Sequence, residues 1–267
     1  MYSRMSKPTT LQPNHACSRK KICTLSTVFV LLMLLVIVIS AIEITVYKTP
    51  NWFRNEYEKY SVLEDVRGEM SMESALEVTD EMMKYLRGDR KDLVVMTTLD
   101  GKNQEFFSQR EKDHLADCRK LFIGGLYLRR IAGVIAACLS LWMCLLSRKS
   151  LQNGVAFSRS IPRVMGITAF VGTVMTVLIA RDFDAAFIRF HHIFFDNDKW
   201  LLDPKKDNLI NLLPEGFFMD TATRILLVAL GLALLLCLIS FLVNRGLLRW
   251  MKRQPRAIDG VTRDEQV

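Results

Sequence analysis

The apolar residues of this chain gather in four blocks set apart by strongly charged stretches, a pattern unlike the dispersed periodicity of a soluble core. The first block, 22–46, holds one charge, Glu43, and its centre reads VFVLLMLLVIVIS. Roughly 20 such residues, at about 1.5 Å rise each, cross the hydrocarbon core of a bilayer. The run from Ile131 to Leu146 is shorter, but Leu121 to Leu128 extends its apolar face. A third run spans Val164 to Ala180 and a fourth Ile225 to Val243. The pattern predicts membrane-spanning helices at 22–46, 121–147, 164–180 and 224–243. Arg19, Lys20 and Lys21 precede the first block as they would a signal peptide. Its apolar run is too long for that, and no small-x-small site follows near Glu43, so it reads as a retained anchor.

The polar stretches carry their own patterns. Within 47–120, Ser71 stands where it can cap a helix. Its apolar positions are Met72, Ala75, Leu76, Thr79, Met82, Met83 and Leu86, with Gly88 to end it. Leu93–Thr98 and Lys102–Phe107 flank Asp100-Gly101, the signal of a tight hairpin. Ser108-Gln109-Arg110-Glu111 has the capping-box spacing that starts a helix, and that helix runs on into the second span. The segment is therefore a small α+β cap. Residues 148–163 read as a short turn. Residues 181–223 read as a loop at headgroup level, because Phe183, Phe187, Phe190, Phe194, Phe195, Trp200, Phe217 and Phe218 crowd a polar stretch. Asp203-Pro204 makes a turn, and Pro214 limits any helix before the fourth span. The fold class is an all-α integral membrane protein of four spans, with the cap between helices one and two and the aromatic loop between three and four.

Charge sets the orientation. Residues 1–21 carry five Lys/Arg and no acid, 148–163 carry four and no acid, and the tail from Arg245 carries six against three acids. By contrast, 48–120 has 13 cations against 16 anions, and 181–220 has five against eight. The positive-inside bias places the tails 1–21 and 244–267 and the 148–163 turn in the cytoplasm. The cap and the aromatic loop then face outward from a cell membrane. The net charge of +8 is an insertion signal and points to no nucleic acid. Arg129 and Arg130 mark the outer interface.

Cysteine and histidine usage narrows the chemistry. Cys17 and Cys23 lie at the inner side, Cys138, Cys144 and Cys237 lie in spans, and Cys118 is left outside without a partner, so the six make no disulfide framework. No apolar run precedes Cys17 as it would a lipobox cysteine. Of four histidines, His15 sits in the basic tail, and His114, His191 and His192 sit just outside the membrane. Spacing leaves two readings of His114. It is an interfacial helix residue with Asp117 as a surface charge, or Asp117, one turn on, holds one ring nitrogen so that the other works as base or acid. His191 and His192 cannot share a helical face, so at most one points into a site. No HExxH, CxxC, phosphate-binding glycine loop or GxSxG occurs, and no cofactor or metal is expected.

The two outer segments carry a resemblance. Phe107-Ser108-Gln109-Arg110-Glu111 with His114-Leu115-Ala116-Asp117 is similar to a block of the lipoprotein intramolecular transacylase (Lit) family. So is the run Phe190-His191-His192-Ile193-Phe194-Phe195, Trp200-Leu201-Leu202-Asp203-Pro204, Asp207, Leu209-Ile210, Leu213-Pro214-Glu215, Phe217-Phe218. Order and spacing agree over nearly the whole chain. The resemblance implies an acyltransferase of Gram-positive bacteria that makes lyso-form lipoprotein. The sn-2 acyl chain of a diacylglyceryl lipoprotein moves to the α-amino group of its N-terminal cysteine. It implies catalytic roles for His114 and His191, with Asp117 in support, and lipoprotein and membrane lipids as partners. The position of His192 varies in that family, and Cys118 replaces a usually aliphatic residue. Arg119 and Arg189 read as headgroup anchors, and Asp203 and Glu215 as turn caps. Two other readings stand beside it: a non-catalytic membrane protein that binds lipid or a partner through its cap, and a metal-dependent membrane hydrolase.

Overall fold

The computed structural model describes residues 13–149 and 151–253. The tails read at 1–21 and 244–267 lie partly outside that range, as do the side chains of His15 and Cys17. The chain is mostly helical. Helix α1 (Pro13–Glu43) ends in one π turn, Ile44–Lys48. Then come α2 (Trp52–Lys59), α3 (Val62–Asp65), α4 (Met72–Arg87), strands β1 (Met96–Leu99) and β2 (Lys102–Glu105), and α5 (Gln109–Lys149). Helices α6 (Leu151–Arg181), α7 (Phe183–Phe194), α8 (Leu209–Leu212) and α9 (Glu215–Arg253) complete the order. Among the described residues three stretches are long and apolar enough to cross a membrane: Lys21–Lys48, Gln109–Leu146 and Glu215–Trp250.

Local signals build the cap. Ser71 Oγ accepts the Ser74 N–H at 3.1 Å, and Gly88 ends α4 at φ 92°, which a glycine adopts without strain. Asp100 (φ 52°) and Gly101 (φ 71°) both take the left-handed conformation of a two-residue hairpin turn. The strands pair from Met96↔Glu105 to Leu99↔Lys102, a shorter ladder than the expected runs Leu93–Thr98 and Lys102–Phe107. Val78, Met82 and Leu86 of α4 pack with Tyr57, Val66, Phe106 and Phe107, and Leu115 of α5 and Leu209 and Leu212 of α8 enter the same core. One apolar cluster thus joins the cap to both elements that frame the histidines.

Three expectations change. Residues 151–163, read as a turn, form the first part of α6, since only Pro162 interrupts their helix-compatible sequence. Pro162 lacks the N–H that would bond Ser158 O, and the Ser240 hydroxyl donates to that carbonyl instead, at 2.6 Å. The aromatic loop holds a real helix, α7, whose N-terminus Asp182 caps by accepting the Ala185 N–H at 3.0 Å. Arg129 is not simply an interface marker either. It forms an ion pair with Glu43, the one charge inside the first apolar block, so each charge neutralises the other.

Tyr60 OH donates to Asp220 Oδ2 at 2.6 Å, and Lys59 pairs with the same carboxylate. This fixes the Tyr60 ring against Gly216 at the start of α9, where any Cβ would overlap the ring. Gly216→Ala is therefore expected to destabilise the protein by about 1–3 kcal/mol. The check is a lower unfolding midpoint in detergent. An unchanged midpoint would contradict the close approach.

Candidate active site

The site begins with a helix cap. Ser108 Oγ accepts the Glu111 N–H at 3.3 Å, and Glu111 Oε2 accepts the Ser108 N–H at 2.5 Å, closing the capping box that starts α5. The carboxylate does more than the motif requires. Its Oε1 accepts the Leu209 N–H at 2.5 Å, so one buried side chain ties α5 to the start of α8. Burial pushes the Glu111 carboxyl up, and the main-chain N–H groups of Leu209 and Ser108 pull it back. Around it, Ser108 Oγ donates to Asp207 Oδ1 at 3.0 Å, and Arg110 donates to Asp198 O at 2.6 Å. Asn208 Nδ2 donates to Phe106 O at 3.4 Å. These bonds hold residues 198–209 against the beginning of α5.

One turn beyond Glu111, His114 faces His191 of α7. The ring centroids lie 5.9 Å apart with 36° between planes, and the residues are 8 % and 6 % exposed. His191 Nδ1 lies 2.7 Å from Phe187 O, one turn back. A carbonyl only accepts, so Nδ1 carries the hydrogen and a neutral ring keeps its lone pair on Nε2. Phe187 (4.1 Å) and Trp200 (4.7 Å, 28°) pack on the His191 ring, and Phe195 meets both histidines at 5.6 and 5.3 Å. These contacts explain why the segment is so aromatic: its rings wall in two imidazoles.

His114 precedes the apolar part of α5, and α7, which carries His191, lies outside the three stretches long and apolar enough to cross a membrane among the described residues. The first 12 residues of α5 carry seven Asp, Glu, Lys or Arg side chains, and the apolar run begins only at Leu121. Burial pulls the His114 pKa down from 6.5 to about 4, His191 lowers it further, and Asp117 acts in the opposite sense. Burial also lowers His191, the bond to Phe187 O opposes that fall, and His192 adds to it. Both rings are therefore neutral near pH 7. Cys118 Sγ lies 3.5 Å from His114 Nε2. Burial and the neighbouring Asp117 push this thiol up to about 12, so it stays protonated and is no nucleophile.

Asp117 does not orient His114 as its spacing suggests. Its Oδ1 accepts from Lys120 at 2.8 Å and its Oδ2 from Asn197 at 3.1 Å, and no hydrogen bond joins it to His114 among the described residues. Two better-placed donors have taken both oxygens, so Asp117 acts on the ring only through its field. It also fixes Asn197, next to the aromatic wall. His192 is exposed, and its ring meets the edge of Trp200 at 5.3 Å. Arg119 bonds Lys91 O at 3.0 Å and covers the Tyr85 ring, away from the histidines, and Arg189 is exposed. Asp203 accepts the Lys205 N–H at 2.9 Å, as a turn cap does. Sequence reasoning missed the second bond of Glu111 and the packing of Phe195 and Trp200. The i, i+4 spacing of His114 and Cys118 did signal their contact. Among the described residues, no group of three or more His, Cys, Asp or Glu is arranged to hold a metal ion.

Comparison with known proteins bears on this arrangement. No curated protein matches the sequence. In meso structures of the membrane integral lipoprotein intramolecular transacylase Lit from Bacillus cereus share its fold at 21 % identity. One has a TM-score of 0.64 and another, with one histidine replaced by alanine, 0.65. Each comparison covers 90 % of this chain and 100 % of the other. The profile of the family described as lipoprotein intramolecular transacylase Lit matches residues 27–218, which include the cap, His114 and His191. With that match running through most of its length, the chain belongs to the Lit family.

Proposed function

We propose that this protein moves the sn-2 acyl chain of a diacylglyceryl lipoprotein to the α-amino group of that molecule's N-terminal cysteine, at the outer face of a cell membrane crossed four times. The observation that carries this reading is the pair of buried imidazoles that face each other, one just before the apolar part of α5 and one on α7. The reacting glycerol ester of a membrane-anchored lipid lies at that depth.

His191 is the base. Its Nδ1–H is tied to Phe187 O, so its Nε2 lone pair is free to take the proton as the amine nitrogen attacks the ester carbonyl carbon. The carbonyl bond also steadies the imidazolium that forms. His114 stays neutral and donates its N–H to the developing oxyanion, because a second positive charge beside His191 is unfavourable. As the tetrahedral species collapses, the bond to the sn-2 oxygen breaks and His191 returns its proton to that oxygen. An ester becomes an amide and a hydroxyl, and no water is consumed. Donor and acceptor belong to one molecule, so positioning supplies much of the rate and no covalent enzyme intermediate is needed. The aromatic wall keeps out the water that would otherwise hydrolyse the ester.

Substrate and product have equal mass, so the test is their response to mild alkali. A reporter lipoprotein incubated with the protein should keep one alkali-stable acyl group on its cysteine nitrogen, read by tandem mass spectrometry. Complete loss of acyl groups on alkali treatment would overturn the reading. The imidazoles add a pH test on the free protein. Diethyl pyrocarbonate attacks only neutral imidazole. Because burial lowers both pKa values, each ring stays neutral, and inactivation stays fast, as the pH falls through 6.5. The rate should therefore fall with a midpoint below the ordinary histidine value of about 6.5. A midpoint at or above that value would contradict the burial argument.

A further inference from the structure

One turn and more outward from His114, the cap holds a polar cleft of about 500 Å³ that the reaction does not use. Arg67, Gln104, Glu105, Ser108, Lys206 and Asn208 line it. Arg67 closes one side by donating to Lys206 O at 2.6 Å, and its N–H bonds Asn208 Oδ1 at 3.2 Å. Two cations, three carboxylates and uncharged amide and hydroxyl groups share the lining, which suits neither an acyl chain nor an isolated anion. It suits amide groups, which need donors and acceptors together.

Strand β2 forms part of the wall, and among the described residues it is paired on one side only. Leu99↔Lys102 closes the two-residue turn, and the bond from Phe106 N to Val95 O at 2.9 Å continues the alternation of an antiparallel ladder. Asn103 and Glu105 therefore point their main-chain N–H and C=O away from β1. All four residues of β2 are exposed. Such an edge takes an extended peptide through main-chain bonds, which do not read side chains.

Distance selects the occupant. Ser108 and Glu111 precede His114 by six and three residues, so the cleft lies roughly 5–9 Å further from the membrane along α5 at about 1.5 Å per residue. An extended peptide covers that in about three residues at roughly 3.3 Å each. We propose that the cleft and the open edge of β2 bind the extended polypeptide that follows the lipidated cysteine of the substrate. This rests on the transacylase reading, and it assigns the cap the task of holding the amine end still while the ester is attacked.

Two synthetic substrates test it with the full-length protein in lipid vesicles: S-diacylglyceryl cysteine followed by one residue, and the same lipid followed by ten. The longer substrate should have a kcat/KM higher by on the order of tenfold, the worth of one or two hydrogen bonds. Lys206→Glu, which changes the charge of the cleft, and Asn103→Pro, which removes an outward N–H while sparing the ladder with β1, should each bring that ratio toward one. An equal rate for both substrates with the unsubstituted protein would overturn the proposal, as would variants that slow both substrates alike and keep the ratio. Conversion of neither substrate by the unsubstituted protein would instead sink the transacylase reading beneath it.

Discussion

His191→Gln is expected to abolish acyl transfer while the protein still inserts and folds. Glutamine has nearly the reach of histidine, and its amide can still donate a hydrogen bond. It has no basic nitrogen, so the amine proton has nowhere to go in the transition state. General acid–base catalysis by one group is worth about 10²–10⁴ in rate, and a loss of at least about 100-fold follows. His114→Ala should be as severe, because it removes the oxyanion donor from a site shielded from water. His114→Gln should keep a measurable remainder, since a side-chain amide still donates an N–H. His192→Ala should keep most activity, because that ring is exposed and lies against the edge of Trp200. Alkali-stable acyl groups on the reporter lipoprotein read all four variants. Normal conversion by His191→Gln would remove the base assigned here, and a protein that only binds lipid would tolerate it.

The parts of this structure that are local in the chain were legible before any coordinates. Ser108 and Glu111 close their capping box, Ser71 and Gly88 bound α4, and Asp100-Gly101 turns the hairpin, because each depends on neighbours a few residues away. The histidine pair was reached by the depth argument and by resemblance, since nothing local relates residue 114 to residue 191. What stayed hidden was the choice among competing partners. Helical spacing placed Asp117 near His114, but it carried no sign that Lys120 and Asn197 would take both oxygens. Aromatic content in 181–223 suggested a membrane-interface loop. Part of it is a capped helix whose rings pack on His191, because the same residues serve a headgroup layer and a buried wall equally well. Glu43 and Arg129 each looked out of place alone and are explained only as a pair.

Glu111→Ala is expected to do the greatest structural damage, although the residue touches neither histidine ring in any described contact. Its two oxygens hold the N–H groups of Ser108 and Leu209, one at each edge of the frame. Truncation leaves the Leu209 N–H buried without a partner and the α5 cap open. Each unsatisfied main-chain group costs about 1–3 kcal/mol, so a loss of about 3 kcal/mol in stability is expected. The damage should reach the site, because α8 and the beginning of α5 set how residues 195–209 lie near His114. Glu111→Gln separates the two roles. The two N–H groups meet different oxygens, so a glutamine oxygen in either position accepts from one of them and its NH₂ faces the other donor. That variant should retain part of the stability yet show a lower kcat, while the pH midpoint of diethyl pyrocarbonate inactivation rises toward the ordinary histidine value as water reaches the loosened rings. Thermal unfolding and the inactivation profile measure the two effects separately. If Glu111→Gln unfolds and reacts like the parent protein, the carboxylate is not the clamp between the two segments.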